Sequence, residues 1–82
     1  MTLRVNGTIR QRGNTTTMIF GVAEIIRYLS QFMTLEAGDI LTTGTPSGVG
    51  LGMKPPQYLS AGDVVQLEIE DLGMQNQTCI RA

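Results

Sequence analysis

Residues Asp39 to Gly52 read DILTTGTPSGVGLG, an aliphatic and β-branched run that passes directly into glycine. Ile40, Leu41, Thr42 and Thr43 favour an extended strand, because such side chains fit a pleated, half-buried surface. Gly44, Gly48, Gly50 and Gly52 follow, four glycines within nine residues. Without a Cβ at those positions, another backbone or a ligand can approach closely. Thr45 and Ser47 set hydroxyls beside exposed amide donors, and Pro46 stiffens the turn between them. A phosphate-cradling loop is excluded, since no G-x-x-x-x-G-K-[ST] occurs and Pro55 follows Lys54 where Ser or Thr would stand. On the residues alone two readings remain open. One is a wide glycine turn that serves only the backbone. The other is an anion site made from Thr45 and the neighbouring amides.

Upstream, Val22, Ile25, Ile26, Leu29, Phe32 and Met33 recur at the spacing of a helix with one apolar face. Gly21 is an acceptable N-cap, Glu24 falls at N3, and Phe20 and Ile25 sit at N′ and N4 to form a hydrophobic staple. Gln11 to Thr17 is polar and turn-rich. Before it, Leu3 to Val5 and Thr8 to Gln11 flank Asn6-Gly7, a pair that tolerates positive φ and so signals a β-hairpin. Arg4, Arg10 and Arg12 decorate that hairpin as a solvated face.

Downstream, Pro55 and Pro56 mark a stiff connection, and Val64 to Glu70 alternates as a half-buried strand should. Val65, Leu67 and Ile69 fall on one side, with Gln66, Glu68 and Glu70 on the other. Asp71-Leu72-Gly73 turns the chain back into a partner strand over Met74 to Ile80. Leu35-Glu36-Ala37-Gly38-Asp39 and Leu59-Ser60-Ala61-Gly62-Asp63 share the pattern L-x-A-G-D. The same turn is expected at both, with Gly in the left-handed position ahead of a strand. Glu68 and Glu70, two carboxylates on one strand face, have the right chemistry for a hard cation. Polar-out alternation explains them without one, and neither His nor a third ligand stands nearby in sequence.

TGTPSGVG at Thr43 to Gly50 and GMKPPQYLSAGD at Gly52 to Asp63 resemble the fumarylacetoacetate hydrolase family. GNTTTMIFGVAEIIRYLSQF, ahead of them, is similar to the same C-terminal region of that family. The second motif most resembles members grouped as 2,4-diketo-3-deoxy-L-fuconate hydrolases and as ureidoglycolate lyases. The resemblance implies an α+β fold, a β-rich fragment of a mixed β-roll with one amphipathic helix. It implies that residues 1 to 82 are the C-terminal segment of a longer domain and incomplete as an enzyme. Family members use Mg²⁺ or Mn²⁺, a Glu/His pair in a mobile lid and a Lys to cleave or rearrange carbon–carbon bonds beside carbonyls. The metal acts there as a Lewis acid on acylpyruvate or 2-keto-acid-like substrates. Those metal ligands lie upstream of the matched region, so Glu68 and Glu70 are not that site, and Lys54 lies in a different motif. No catalytic residue is therefore assigned here. Thr45, with Gly44 beside it, matches the position that helps bind the substrate's carboxylate or keto-acid end, and preorganised donors suit an anion. The alternative is a non-catalytic remnant or oligomerising module of that family.

Composition bounds the remaining classes. Six basic and seven acidic residues give a net charge of −1, without the footprint of a nucleic-acid or acidic-membrane binder. Histidine is absent, and with it the commonest general base near neutral pH. Cys79 stands alone, which rules out an internal disulfide and gives no sign of secretion. No apolar run approaches the ~20 residues of a membrane span, and MTLRVNG lacks the apolar core of a signal peptide. A cytoplasmic location is expected. So is assembly with a second copy or with an upstream segment, since a chain of 82 residues buries only about 60 to 65% of its unfolded surface.

Overall fold

The computed structural model describes residues 1–82 and is α+β, with one four-stranded sheet and one helix. Two units make it up, residues 1–13 with 46–82, and residues 14–45. The first unit holds the sheet: β1 (Thr2–Val5), β2 (Thr8–Arg12), β3 (Val64–Ile69) and β4 (Gly73–Thr78), in the order β2-β1-β3-β4. Every pairing is antiparallel.

The two hairpins form where the turn residues stand. Asn6 and Gly7 take φ of 51° and 78°, the pair of positive values that matches strand twist in a two-residue connection. Asp71 and Gly73, at φ of 64° and 91°, return β3 into β4. The pairing of β1 with β3 is long-range and sets Leu3 opposite Leu67 and Val5 opposite Val65. These four side chains share one face by the period of two, and Val5 is the one buried hydrophobic residue, at 8% exposure. Between β1 and β2 the register slips: Leu3 faces Gln11 and Arg4 faces Ile9, so Arg10 is an extra, bulged residue. The main chains of Met1 and Gly13 exchange two hydrogen bonds, of 2.8 and 3.1 Å, and close the open end of that hairpin.

Both L-x-A-G-D stretches form the same turn. Gly38 and Gly62 take φ of 101° and 94°. In each, the Asp amide donates to the carbonyl three residues back, and a carboxylate oxygen accepts that residue's amide in return. These bonds measure 3.2 and 2.9 Å for Asp39 with Glu36, and 3.1 and 2.7 Å for Asp63 with Ser60. Past the second turn β3 begins, and the Cys79 amide and carbonyl bond to Asp63 and Gly62 at 2.8 Å each, beyond the end of β4.

In the second unit, Asn14 caps a short 3₁₀ turn over Thr15–Thr17, its side chain accepting from the Thr16 amide at 2.9 Å. Helix α1 spans Val22–Leu29 with Gly21 as N-cap and Glu24 in its first turn. The expected helical stripe ran on to Met33, but the chain tightens after Leu29. The Ser30 hydroxyl donates to the Arg27 carbonyl at 3.0 Å, and the amides of Gln31 and Phe32 bond three residues back instead of four. Such a back-bonding hydroxyl competes with the helical ladder. Tyr28 and Phe32 still meet, with ring centroids 5.2 Å apart and planes tilted by 57°.

The strand expected over Ile40 to Thr43 does not form, and that expectation is corrected. A strand exists only through a neighbour's hydrogen bonds. Residues 14–45 contain no other strand, and Ile40 is 88% exposed. No helix is long and apolar enough to cross a membrane.

Candidate functional site

Gly44 and Thr45, the expected substrate-binding pair, end the unit of residues 14–45 and are both exposed. Gly44 takes φ of 111°, a conformation that L side chains rarely adopt, and a Cβ there would meet nothing within 4 Å. Its glycine is thus required by backbone geometry, and the space beside it is open.

The continuation of the motif, from Pro46, lies in the other unit over the sheet. Gly48, at φ of 110°, lies so close to β2 that a Cβ would overlap the Arg10 carbonyl oxygen. Gly50 takes no positive φ, but a Cβ on it would overlap the Gln57 carbonyl, and its own carbonyl accepts the Gln57 amide at 2.9 Å. The loop therefore uses glycine for two reasons, a left-handed residue at one place and close approach at both.

The bulge supplies what holds this loop. Arg10 and Gln11 are adjacent in β2, yet both line one cleft of about 660 Å³ with Leu3, Val5, Val49 and Tyr58. Gln11 is 9% exposed, and its side-chain amide donates to the Pro46 carbonyl at 2.7 Å. The Arg10 guanidinium donates to Gln57 Oε1 and, at 3.2 Å, to the Met53 sulfur. Arg10 is thus not part of a solvated strand face, as the charge pattern suggested, because the extra residue re-aims it at the loop. Gln11 belongs to β2, as the strand expected over Thr8 to Gln11 had it, and β2 runs one residue further to Arg12. No local signal in sequence marks a bulge, and the pairing of Leu3 with Gln11 had to be seen.

Asn6 joins the first hairpin to the turn before β3. Its side chain donates to Asp63 Oδ1 at 2.8 Å and accepts from the Val64 amide at 2.9 Å. The Ser60 amide, then the Asn6 side chain, hold the Asp63 carboxyl below its ordinary 3.8, with the Arg10 charge adding to them against a small desolvation effect.

A hard cation finds no matching donor set in these residues. No group of three or more His, Cys, Asp or Glu side chains stands together, and Glu68 faces Arg4 across β1 and β3 at 3.6 Å. That ion pair links β3 to β1 at the exposed side of the sheet.

The family model of the fumarylacetoacetate (FAA) hydrolase C-terminal region matches residues 1–80. The chain belongs to this family. Among its fumarylacetoacetate hydrolase-family relatives is a 2,4-didehydro-3-deoxy-L-rhamnonate hydrolase of Sphingomonas sp. (strain SKA58), 59% identical over 94% of this chain and 27% of its own length. Oxaloacetate tautomerase YisK of Bacillus subtilis (strain 168) is 53% identical over 90% of this chain and 25% of its own. A solved fumarylacetoacetate hydrolase from psychrophilic Exiguobacterium antarcticum superposes with a TM-score of 0.86 at 51% identity, over 98% of this chain and 29% of that one. The chain thus spans about a quarter of the length of the curated relatives it matches.

Proposed function

We propose that these residues form the substrate-binding wall of a fumarylacetoacetate hydrolase-family enzyme that acts on the carbon–carbon bonds of acylpyruvate or other 2-keto-acid compounds. The observation that carries this reading is Gly44, held at φ of 111° with open space beside it and exposed Thr45 next in the chain. A hydroxyl beside backbone amides, next to the open space at Gly44, can take the carboxylate or keto end of such a molecule. The names of the two curated relatives point to the same chemical class, since oxaloacetate and a 2,4-didehydro-3-deoxy sugar acid both carry a ketone beside a carboxylate. Mg²⁺ or Mn²⁺ would be held by residues outside these 82, because the donor set within them does not suit a hard cation. Thr45 and Gly44 bind in this reading and carry out no proton transfer. A cytoplasmic homo-oligomer is the setting proposed for the enzyme.

A second reading has its own support. Eighteen large hydrophobic residues are exposed against one that is buried, as in a non-catalytic or oligomerising module that needs cover from another chain. One experiment separates the two. The matching segment of the Sphingomonas hydrolase is replaced by residues 1–80 of this chain, the span of the family match, and the hybrid is assayed on that enzyme's substrate with Mg²⁺ or Mn²⁺. Turnover near the parent's, lost or weakened in a Thr45→Ala hybrid, supports the binding wall. A folded hybrid without turnover supports the module.

A further inference from the structure

We propose that the outer edge of β4 is a self-association site, where the strand pairs antiparallel with β4 of a second copy of this chain around Asn76. The assignment of Thr45 plays no part in this. Backbone groups along a strand point alternately to its two sides. The Cys79 amide and carbonyl turn inward to Asp63 and Gly62, and the Val64 carbonyl turns the other way to accept the Asn6 amide at 2.9 Å. Gln75 stands opposite Leu67 and Gln77 opposite Val65 in an unbroken register, so these two glutamines bond to β3 through their backbones. The amides and carbonyls of Met74, Asn76 and Thr78 therefore face away from the sheet. Such a row on an edge strand is a template for another strand.

The two edges of the sheet are not alike. On β2 the register breaks at Arg10, Arg10 and Arg12 put charge on the strand, and the loop at Gly48 lies against the Arg10 carbonyl. Strand β4 has no charged residue, no proline and no bulge, and all of it is exposed. It is also complementary to itself. A two-fold axis at Asn76 sets this residue against Asn76 of the second copy, Met74 against its Thr78 and Gln75 against its Gln77, so each outward amide meets an outward carbonyl. Side-chain amides both donate and accept, so like residues can bond across that axis, and no like charges oppose one another.

The test combines sedimentation with amide hydrogen exchange on the 82-residue chain at low and high micromolar concentration. The chain should associate, with exchange slowing more at Met74, Asn76 and Thr78 than at Gln75 and Gln77, whose amides already bond to β3. A chain that stays monomeric overturns the proposal, as does uniform slowing along β4. Asn76→Lys sets like charges face to face on the axis, and Asn76→Pro removes an amide that β3 does not use. Both variants should associate more weakly by about ten-fold or more. Thr8→Lys, on the other edge, should associate as the wild type does. Undiminished association in a folded Asn76→Lys, or an equal loss in Thr8→Lys, also overturns the proposal. Circular dichroism establishes folding, and if Asn76→Pro unfolds, the Lys variant and the wild-type exchange pattern decide.

Discussion

Asn6 bends the backbone and bonds across the sheet at once. Its φ of 51° opens the hairpin turn, while its amide and side chain reach Val64 and Asp63. Asn6→Gly keeps the turn and deletes two exposed side-chain bonds, so the urea unfolding midpoint should fall only modestly, water replacing the lost partner at the Val64 amide and the Asp63 oxygen. Asp63 makes the fold acid-sensitive in a definite direction. Its carboxyl is depressed in the folded state, so its contribution is complete above 3.8 and is lost as the pH falls through the lower folded value. Unfolding midpoints taken between pH 7 and pH 2 should therefore fall below about pH 4, and Asp63→Asn should flatten that fall. Gly48→Ala combines an unfavourable φ with a collision against a backbone carbonyl. Each effect is worth about 1 to 3 kcal/mol, and thermal unfolding should register both. Thr45→Ala, in the hybrid enzyme, should raise KM about 2- to 10-fold with little change in stability, the loss of one hydrogen bond to substrate. Thr43→Ala is the control, and an equal KM effect there would remove the special place of Thr45.

Among the elements, those specified by neighbouring residues were legible in sequence, and those specified by distant partners were not. Asn6-Gly7, Asp71-Leu72-Gly73 and the alternation of Val64 to Glu70 each contain their own instructions. They form both hairpins within a residue or two of the expected bounds. The motif TGTPSGVG revealed the family and the candidate Thr45 for the same reason. Ile40 to Thr43 had the composition of a strand and no partner to make it one, so propensity yielded to pairing. The bulge at Arg10 belongs to the register between β1 and β2, which no short window contains. Helix α1 gives way to a tighter turn after Leu29, where the Ser30 hydroxyl bonds back to the Arg27 carbonyl. Restoring the helical choice with Ser30→Ala should extend the amide protection of α1 toward Met33, a gain of a few tenths of a kcal/mol readable by hydrogen exchange.

At the scale of the molecule, one buried hydrophobic residue is little from which to draw stability. Domains of this size are marginal even with a full core. Strands β2 and β4 leave both sheet edges unpaired, and every residue of β4 is exposed. Association between chains is expected, with a sedimentation coefficient that rises with concentration over the micromolar range. Calorimetry with Mg²⁺ or Mn²⁺ should give no micromolar binding by the 82 residues alone, and an assay on an acylpyruvate no turnover. Micromolar binding with turnover would contradict both the donor-set argument and the reading as a part of an enzyme.

The duplicated turn gives the chain a built-in calibration. Gly38→Ala and Gly62→Ala make the same chemical change at nearly the same φ, within the same ring of two hydrogen bonds. The local penalty is common to both, about 1 to 3 kcal/mol. One turn leads into an unpaired stretch and the other into β3, at the centre of the sheet. Subtracting the two measured penalties cancels the turn and leaves the part of the loss that spreads into neighbouring strands. That difference is the cooperativity of the sheet, obtained from two point variants of one protein.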